Sequence, residues 1–189
     1  MIMDSKEKLR NQISDSAGNV LYTYSAHWNI VNRLKKQYFG IKVTQIVLTA
    51  ISAGGFLATI VSGIPSLSWI CGLASVVALA LNLYMLNFNP AEDIKKHTDA
   101  ANELWAVREA FKSLIVDFDY LPIDVIREKR DKLNQKLKEI YDSYPGTDEK
   151  SFTKTQAEIE KYVFDKGVSQ KLMNVDLKNG TTKSDKSQE

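Results

Sequence analysis

The stretch VTQIVLTAISAGGFLATIVSGI, residues Val43 to Ile64, sets the architecture of this chain. A second stretch, LSWICGLASVVALALNLYMLNF, residues Leu67 to Phe88, follows it almost at once. No Asp, Glu, Lys or Arg occurs between Lys42 and Glu92, although 25% of the 189 residues are charged. A helix needs roughly 20 apolar residues to cross a hydrocarbon core of about 30 Å. The sequence therefore predicts two transmembrane helices, over residues 43–64 and 67–88.

Only Pro65 and Ser66 separate the two apolar stretches, so the helices are expected to form an antiparallel hairpin with residues 65–66 as its external turn. The alternative is a pair of core helices in a soluble bundle. Two successive helices without a single charge would then have no side suited to water. The pattern therefore favours an all-α membrane protein, built as a two-transmembrane hairpin between N- and C-terminal helices.

Basic residues flank the hairpin on the side of both chain ends and are absent from the turn. Because Lys and Arg accumulate in the cytoplasmic flanks of membrane helices, both termini are predicted to be cytoplasmic. The residues that carry this prediction are Arg33, Lys35, Lys36, Lys42, Lys95 and Lys96.

Helical periodicity continues on both sides of the hairpin. The pattern predicts an amphipathic cytoplasmic helix over residues 1–42 and a cytoplasmic helical region over residues 89–173. Residues 174–189 are predicted to form a polar, disordered tail. Thr153, with Gln156 three residues later, fits a capping box and predicts the start of the last helix. The apolar residues expected on one side of the helix after the hairpin are Ile94, Ala101, Leu104, Trp105, Phe111 and Leu114.

The sequence carries no signature of catalysis. It has no Gly-rich phosphate loop and no HExxH, CxxC or GxSxG motif, so we expect neither an enzyme nor a bound cofactor or metal. His27 and His97 stand on either side of the hairpin, and their rings are expected to be able to meet near the membrane. The two could form a shared metal or pH-sensing pair, or each could simply hydrogen-bond in a contact between helices.

A polar stripe runs along the first apolar helix. At 100° per residue, hydroxyl and amide side chains fall near one line, with Phe56 as the only large apolar member. In an oligomer the stripe could line a central path that Phe56 constricts. Alternatively, the Ser and Thr residues bond back to their own helix, and Gln45 and Asn82 join the two helices. The predicted pore-lining residues are Gln45, Thr49, Ser52, Phe56, Thr59 and Gly63.

Small residues recur every four positions on both apolar helices. Such a series lets helix backbones approach closely, and it predicts helix packing in a homo-oligomer, expected as a small ring such as a tetramer. The predicted packing residues are Ala50, Gly54, Ala58 and Ser62 on the first helix, and Ala74, Ala78 and Asn82 on the second.

Two segments next to the hairpin carry a resemblance to a known family. YTYSAHW, residues 22–28, leads into the hairpin, and the pattern ED-x-x-x-H-x-x-A-A-x-x-L-W-x-x-R-E, residues 92–109, follows it. Over residues 5–145 this layout resembles the SLATT family, the SMODS and SLOG-associating two-transmembrane effector domains. The residues of the second pattern are Glu92, Asp93, His97, Ala100, Ala101, Leu104, Trp105, Arg108 and Glu109.

The resemblance implies an effector of bacterial anti-phage defence in the inner membrane. Such an effector would oligomerise and form a pore or channel, and membrane disruption would then arrest growth of the infected cell. A nucleotide or oligonucleotide from a partner nucleotidyltransferase would either open the pore or hold it closed until infection removes the signal. A phosphate-rich ligand is expected at basic side chains, for which the candidates are Arg108, Arg127, Lys129 and Arg130.

A second interpretation belongs to a different functional class. The hairpin would only anchor the chain in the lipid bilayer, and the cytoplasmic helices would bind a partner protein as a scaffold. Ion conduction by the reconstituted protein would separate a channel from such an anchor.

Overall fold

The computed structural model describes the backbone of residues 2–161 and, within it, the side chains of residues 5–61, 63–64, 66 and 68–161. The described chain is helical and contains no strand, which confirms the all-α prediction for this part. The predicted tail, residues 174–189, lies outside the described residues. The helices are α1 (Ile2–Ser62), α2 (Pro65–Phe88), α3 (Pro90–Val116), α4 (Ile123–Ser143) and α5 (residues 149–161).

A single unbroken helix, α1, contains both the predicted N-terminal helix and the first apolar stretch. It has 61 residues, equivalent to roughly 90 Å of helix. No proline interrupts it, because the first proline of the chain is Pro65. Residue 42 therefore marks a change from charged to apolar side chains along one rod, and the backbone does not break there.

The turn between α1 and α2 consists of Gly63 and Ile64 and not of Pro65 and Ser66, as the sequence had indicated. Gly63 has a φ of 66°, which glycine adopts without strain, and its N–H bonds to the Thr59 carbonyl at 3.0 Å. Pro65 is the first residue of α2, where its missing N–H costs no hydrogen bond. Gly63 thus closes the C-terminal end of α1.

One residue, Asn89, separates α2 from α3. Its φ of 34° and ψ of 59° are left-handed, a conformation that asparagine tolerates better than most residues, and Pro90 then opens α3. The Asn89 side chain donates to the Glu92 carboxylate at 2.8 Å, and the Asn89 carbonyl accepts from the Glu92 N–H at 3.0 Å. Beyond Asn89, α3 continues along α1 in the same direction as α2, as the contact of His97 with His27 shows.

The charged part of the molecule, which we call the bundle, comprises residues 2–42 of α1 together with α3, α4 and α5. Its apolar core lies between α1, α3 and α4. Trp105 was predicted on the buried side of α3 but is 53% exposed. It lies about 100° around the helix from the buried Leu104, beyond the strip that α1 covers. The largest fully buried apolar side chains are Ile13, Val20, Val31, Leu104, Phe111, Phe118, Ile126 and Ile140.

The start of α5 also differs from the sequence prediction. The helix begins at residue 149, and the Asp148 side chain caps it by accepting from the Ser151 N–H at 2.8 Å. The Asp148 carbonyl accepts from the Phe152 N–H at 3.0 Å. The capping box predicted at Thr153 and Gln156 therefore falls inside the helix, where Gln156 instead bonds to Glu160.

Residues 43–62 of α1 and the whole of α2, which we call the apolar pair, project away from the bundle core. Within the described residues, two helices are long and apolar enough to cross a membrane. In the apolar stretch of each helix few residues are buried, 6% in the first and 17% in the second. Core helices of a soluble bundle would be mostly buried, so the structure argues against that alternative. The exposed apolar surface is suited to lipid or to another copy of the chain.

Candidate functional site

The apolar pair is joined by one amide–amide contact. Gln45 of α1, which is only 7% exposed, donates from Nε2 to Oδ1 of Asn82 of α2 at 3.0 Å. In a low-dielectric setting an unpaired amide would be costly, so each side chain satisfies the other. Nearer the turn, Cys71 of α2 lies against Ile51 and Gly55 of α1, which establishes that the two helices run antiparallel.

The hydroxyl groups of the predicted pore stripe bond within their own helix. Thr49, Ser52 and Thr59 each donate to the carbonyl four residues earlier, at 2.8, 2.8 and 2.9 Å. Ser52 and Thr59 are half-buried and follow Gln45 at seven-residue intervals on the side that faces α2. These contacts match the alternative interpretation of the stripe. Of the six predicted lining residues, Thr49, Phe56 and Gly63 are exposed in the single chain.

The two helices of the apolar pair approach closely at Gly55. A β-carbon at this position would collide with the sulfur of Cys71, whereas a β-carbon at Gly54 would meet nothing within 4 Å. Cys71 is buried, as are Ala74 and Ala78 on the same face of α2. Ala74 and Ala78 therefore lie at a contact within the chain, and the glycine of α1 that this contact requires is Gly55.

The predicted packing series of α1 begins on the side of the helix that faces away from α2. Ala50, Gly54 and Ala58 are exposed, and the side chain of Ser62 lies outside the described ones. The sequence does not distinguish between adjacent glycines, because either could belong to a series of small residues. In the structure, Gly55 faces α2, while Ala50 and Gly54 face away from it.

His27 of α1 and His97 of α3 meet inside the bundle, as expected. Their Nδ1 atoms are 2.9 Å apart and both residues are buried. One ring donates an N–H to the lone pair of the other, so the accepting imidazole must be neutral. Burial, helped by the nearby His97, lowers the pKa of His27 to about 4, and burial also lowers the pKa of His97.

No metal-binding group of three or more His, Cys, Asp or Glu side chains occurs in residues 2–161. In the structure the two rings share a hydrogen bond between helices, which is the contact that the second sequence interpretation describes. A cavity of about 220 Å³ borders His27, and Tyr141 and Tyr144 line its other side. The buried pair therefore has open space next to the His27 ring.

A polar junction fixes α5 to α1 next to the histidines. It consists of Asn29, Arg33, Asp148, Ser151 and Thr155. The Arg33 guanidinium pairs with the Asp148 carboxylate and also donates to the Ser151 hydroxyl at 3.1 Å. Asn29 donates to the Thr155 hydroxyl at 2.9 Å. The hydrogen bond from Arg33 holds the pKa of Asp148 well below its usual range.

The four predicted ligand residues do not form one cluster. Arg108 donates to Glu109 at 2.8 Å, Arg127 lies 3.7 Å from Asp124, and Arg130 bonds to Asp131 and to Gln12. Lys129 alone among the four lines the cleft between α3 and α4, which has a volume of about 440 Å³. The lining residues of this cleft are Ala110, Ser113, Leu114, Asp117, Lys129, Lys132 and Leu133.

Comparison with known proteins identifies the family. The model of SMODS and SLOG-associating 2TM effector domain family 4 matches residues 9–165, most of the chain. The chain belongs to this family. Membership implies a two-transmembrane effector of anti-phage defence, and the family is not a known enzyme family. No curated protein and no solved structure matches the chain significantly.

The family match also corrects the extent of the resemblance. The sequence patterns indicated residues 5–145, but the match continues to residue 165 and so includes α5. Sequence reasoning missed the polar junction for this reason. Its signals were Asn29 and Arg33, which lie one turn apart on α1, and Asp148, which precedes Ser151 by three residues as helix caps do.

Replacing Gly55 by alanine is expected to lower the free energy of unfolding by about 1–3 kcal/mol, because the added methyl group overpacks against Cys71. Thermal denaturation in detergent measures the change. Gly54→Ala is the matched control and is expected to be neutral or slightly stabilising. Adding Cys71→Ala should restore stability to Gly55→Ala; equal losses at Gly54 and Gly55 would contradict the packing described.

Acidification is expected to loosen the packing of α1 on α3. The pKa of His27 is 6.5 in the unfolded chain and about 4 in the folded protein, so the unfolded chain binds more protons between these values. The stability contributed by the neutral pair is therefore complete above pH 6.5 and is lost as the pH falls towards 4. Denaturation midpoints measured from pH 7 to pH 5 report this slope.

The control for this pH dependence is the pair itself. His27→Gln and His97→Gln should each flatten the slope, and the double variant should flatten it further, because burial lowers the pKa of each ring separately. Arg33, Asp93 and Asp148 are the charged groups that act on His97. Asp148 titrates below this pH window because of its bond to Arg33. An unchanged slope in both single variants would disprove the assignment.

Proposed function

We propose that this protein is a pore- or channel-forming effector of bacterial anti-phage defence. It acts in the inner membrane with both termini cytoplasmic, and membrane disruption arrests growth of the infected cell. Family membership supports the effector role. The observation that carries the pore is the exposed apolar pair, in which α1 presents Ala50 and Gly54 on the side away from α2.

A pore of this design needs several copies of the chain. Within one apolar pair, the contacts of Gln45 with Asn82 and of Gly55 with Cys71 bring the helices together and leave no path between them. A small homo-oligomeric ring, such as a tetramer, would enclose a path. The face that includes Ala50 and Gly54 allows close approach of a helix from a neighbouring copy.

The lining of this path is best supplied by residues that the hairpin contact leaves exposed. We propose Thr49 and Phe56, which lie seven residues apart on one flank of the contact with α2. Phe56 would form a hydrophobic constriction that excludes water in the closed state. Gln45, Ser52 and Thr59 would stabilise the wall behind it.

The gating signal is proposed to be a nucleotide or oligonucleotide from a partner nucleotidyltransferase. The cleft between α3 and α4 suits such a ligand because it combines an apolar floor with two cations. Leu114 and Leu133 could contact a base, and Lys129 and Lys132 could pair with phosphates. Lys132 also pairs with Glu128 at 2.7 Å, so phosphate binding would displace that carboxylate.

A second candidate function, a membrane-anchored scaffold, is favoured by the exposed aromatic side chains of the bundle. Trp105 of α3 and Tyr120 of the turn between α3 and α4 are exposed, so a partner protein could cover them. The two functions differ in one measurable property. A scaffold reconstituted alone in liposomes would release no dye under any ligand, whereas an effector pore would.

Replacing Phe56 by alanine is expected to raise dye release from reconstituted liposomes, because the constriction widens. Leu57→Ala is the matched control: Leu57 is equally exposed, at 63%, but points about 100° away around α1. Both variants should insert like the unmodified chain. Equal dye release from the unmodified chain and both variants would show that Phe56 does not constrict the path. No release from any of them would favour the scaffold.

Replacing Lys129 by glutamine is expected to weaken binding of the activating oligonucleotide about tenfold, the equivalent of ~1.4 kcal/mol. A panel of linear and cyclic oligonucleotides, tested by calorimetry, provides the measurement. Arg127→Gln is the matched control on the same helix, because Arg127 pairs with Asp124 and does not line the cleft. A larger loss at Arg127 than at Lys129 would place the ligand elsewhere.

A further inference from the structure

The two ends of the uncharged stretch meet at one cavity. Lys42, the last charged residue before the stretch, lines it from α1, and Asn89, Pro90 and Ala91 line it from the junction of α2 and α3. Its volume is about 350 Å³. Because both ends of the apolar pair converge here, the cavity lies at the boundary between apolar and charged surface. In a membrane this is the level of the lipid headgroups.

The lining of this cavity is amphipathic. Lys42 supplies a cation whose Nζ lies 5.7 Å from the centre of the Tyr38 ring. Asn82 accepts from Gln45 with its carbonyl oxygen, which leaves its amide nitrogen as a donor. Met85 and Leu86 form an apolar wall that continues along α2 into the apolar pair. The cavity thus offers a positive charge at one end and hydrocarbon at the other.

The acidic residues nearby do not cancel this charge. Glu92 accepts from Asn89 at 2.8 Å and pairs with Lys96 at 2.7 Å, so its carboxylate is already neutralised. Asp93 and Lys95 carry opposite charges on the same turn of α3. The lining therefore retains the net positive character of Lys42.

We propose that this cavity binds the headgroup of an anionic phospholipid, with the phosphate at Lys42 and one acyl chain along Met85 and Leu86. A cationic pocket between membrane helices at the headgroup level is the chemistry that recognises such lipids. The bound lipid bridges α1 and the junction of α2 with α3, so it stabilises the angle at which the bundle leaves the membrane. The inference rests on the membrane insertion in the proposed function.

The test uses the full chain in a neutral detergent, with phosphatidylglycerol, phosphatidylcholine of identical acyl chains, or inorganic phosphate added. At ten times its dissociation constant, phosphatidylglycerol should raise the midpoint of thermal denaturation by roughly 3–6 °C. Lys42→Gln should abolish the shift. Lys35→Gln should retain it, because Lys35 lies near Trp28, away from the cavity.

Each other outcome overturns the proposal. An equal shift with phosphatidylcholine would show that the negative charge of the headgroup is not required. An equal shift with inorganic phosphate would show that the lipid is not required. A shift retained in Lys42→Gln would show that the lipid does not bind at Lys42. Melting without lipid should be the same for Lys42→Gln and the unmodified chain, since Lys42 is exposed. Extraction of membranes with carbonate separates the two hypotheses: release of the chain refutes insertion and with it the proposed function. Retention in the membrane without a lipid-dependent shift refutes only this inference.

Discussion

The polar side chains inside the apolar pair need hydrogen-bond partners, and this requirement determines how the two helices can pack. With no charge from residue 43 to residue 91, the polar side chains that face the helix contact must find partners within it. Gln45 and Asn82 pair with each other, and the hydroxyls of Thr49, Ser52 and Thr59 return to their own backbone. The polar side chains on the inner side of the pair thus find partners within it, and any further function is left to the groups that these contacts leave open.

In the bundle a few polar side chains are buried among apolar ones, and they too need hydrogen-bond partners. His27 and His97 satisfy each other across α1 and α3, and Arg33 and Asp148 do so across α1 and α5. No buried side-chain nitrogen or oxygen within the described residues lacks a hydrogen-bond partner. The contacts all involve α1, so this helix is the common element that α3 and α5 share. Protonation of the histidines would act at the place where α1 and α3 meet.

Much of the fold followed from the sequence because charge and periodicity are strong local signals. The missing charge located both apolar helices, and the resemblance in residues 92–109 led to the family. The assignment of faces was less successful. Gly54 and Gly55 are equivalent in a pattern of small residues, and only the position of Cys71 distinguishes them. The exposure of Trp105 and the start of α5 likewise depend on residues that lie elsewhere in the fold or outside the expected cap. The periodicity of a single helix carries no information about them.

The continuity of α1 has a mechanical consequence. The segment from residue 43 to residue 62 is about 30 Å long, and it is an extension of the same rod that carries His27 and Arg33. A rigid rod is a lever: a tilt of about 10° at the bundle would displace the far end of that segment by about 5 Å. That distance is comparable to the width of a side chain. A small rearrangement among the charged helices is therefore geometrically sufficient to move the tip near Gly63 from one packing partner to another.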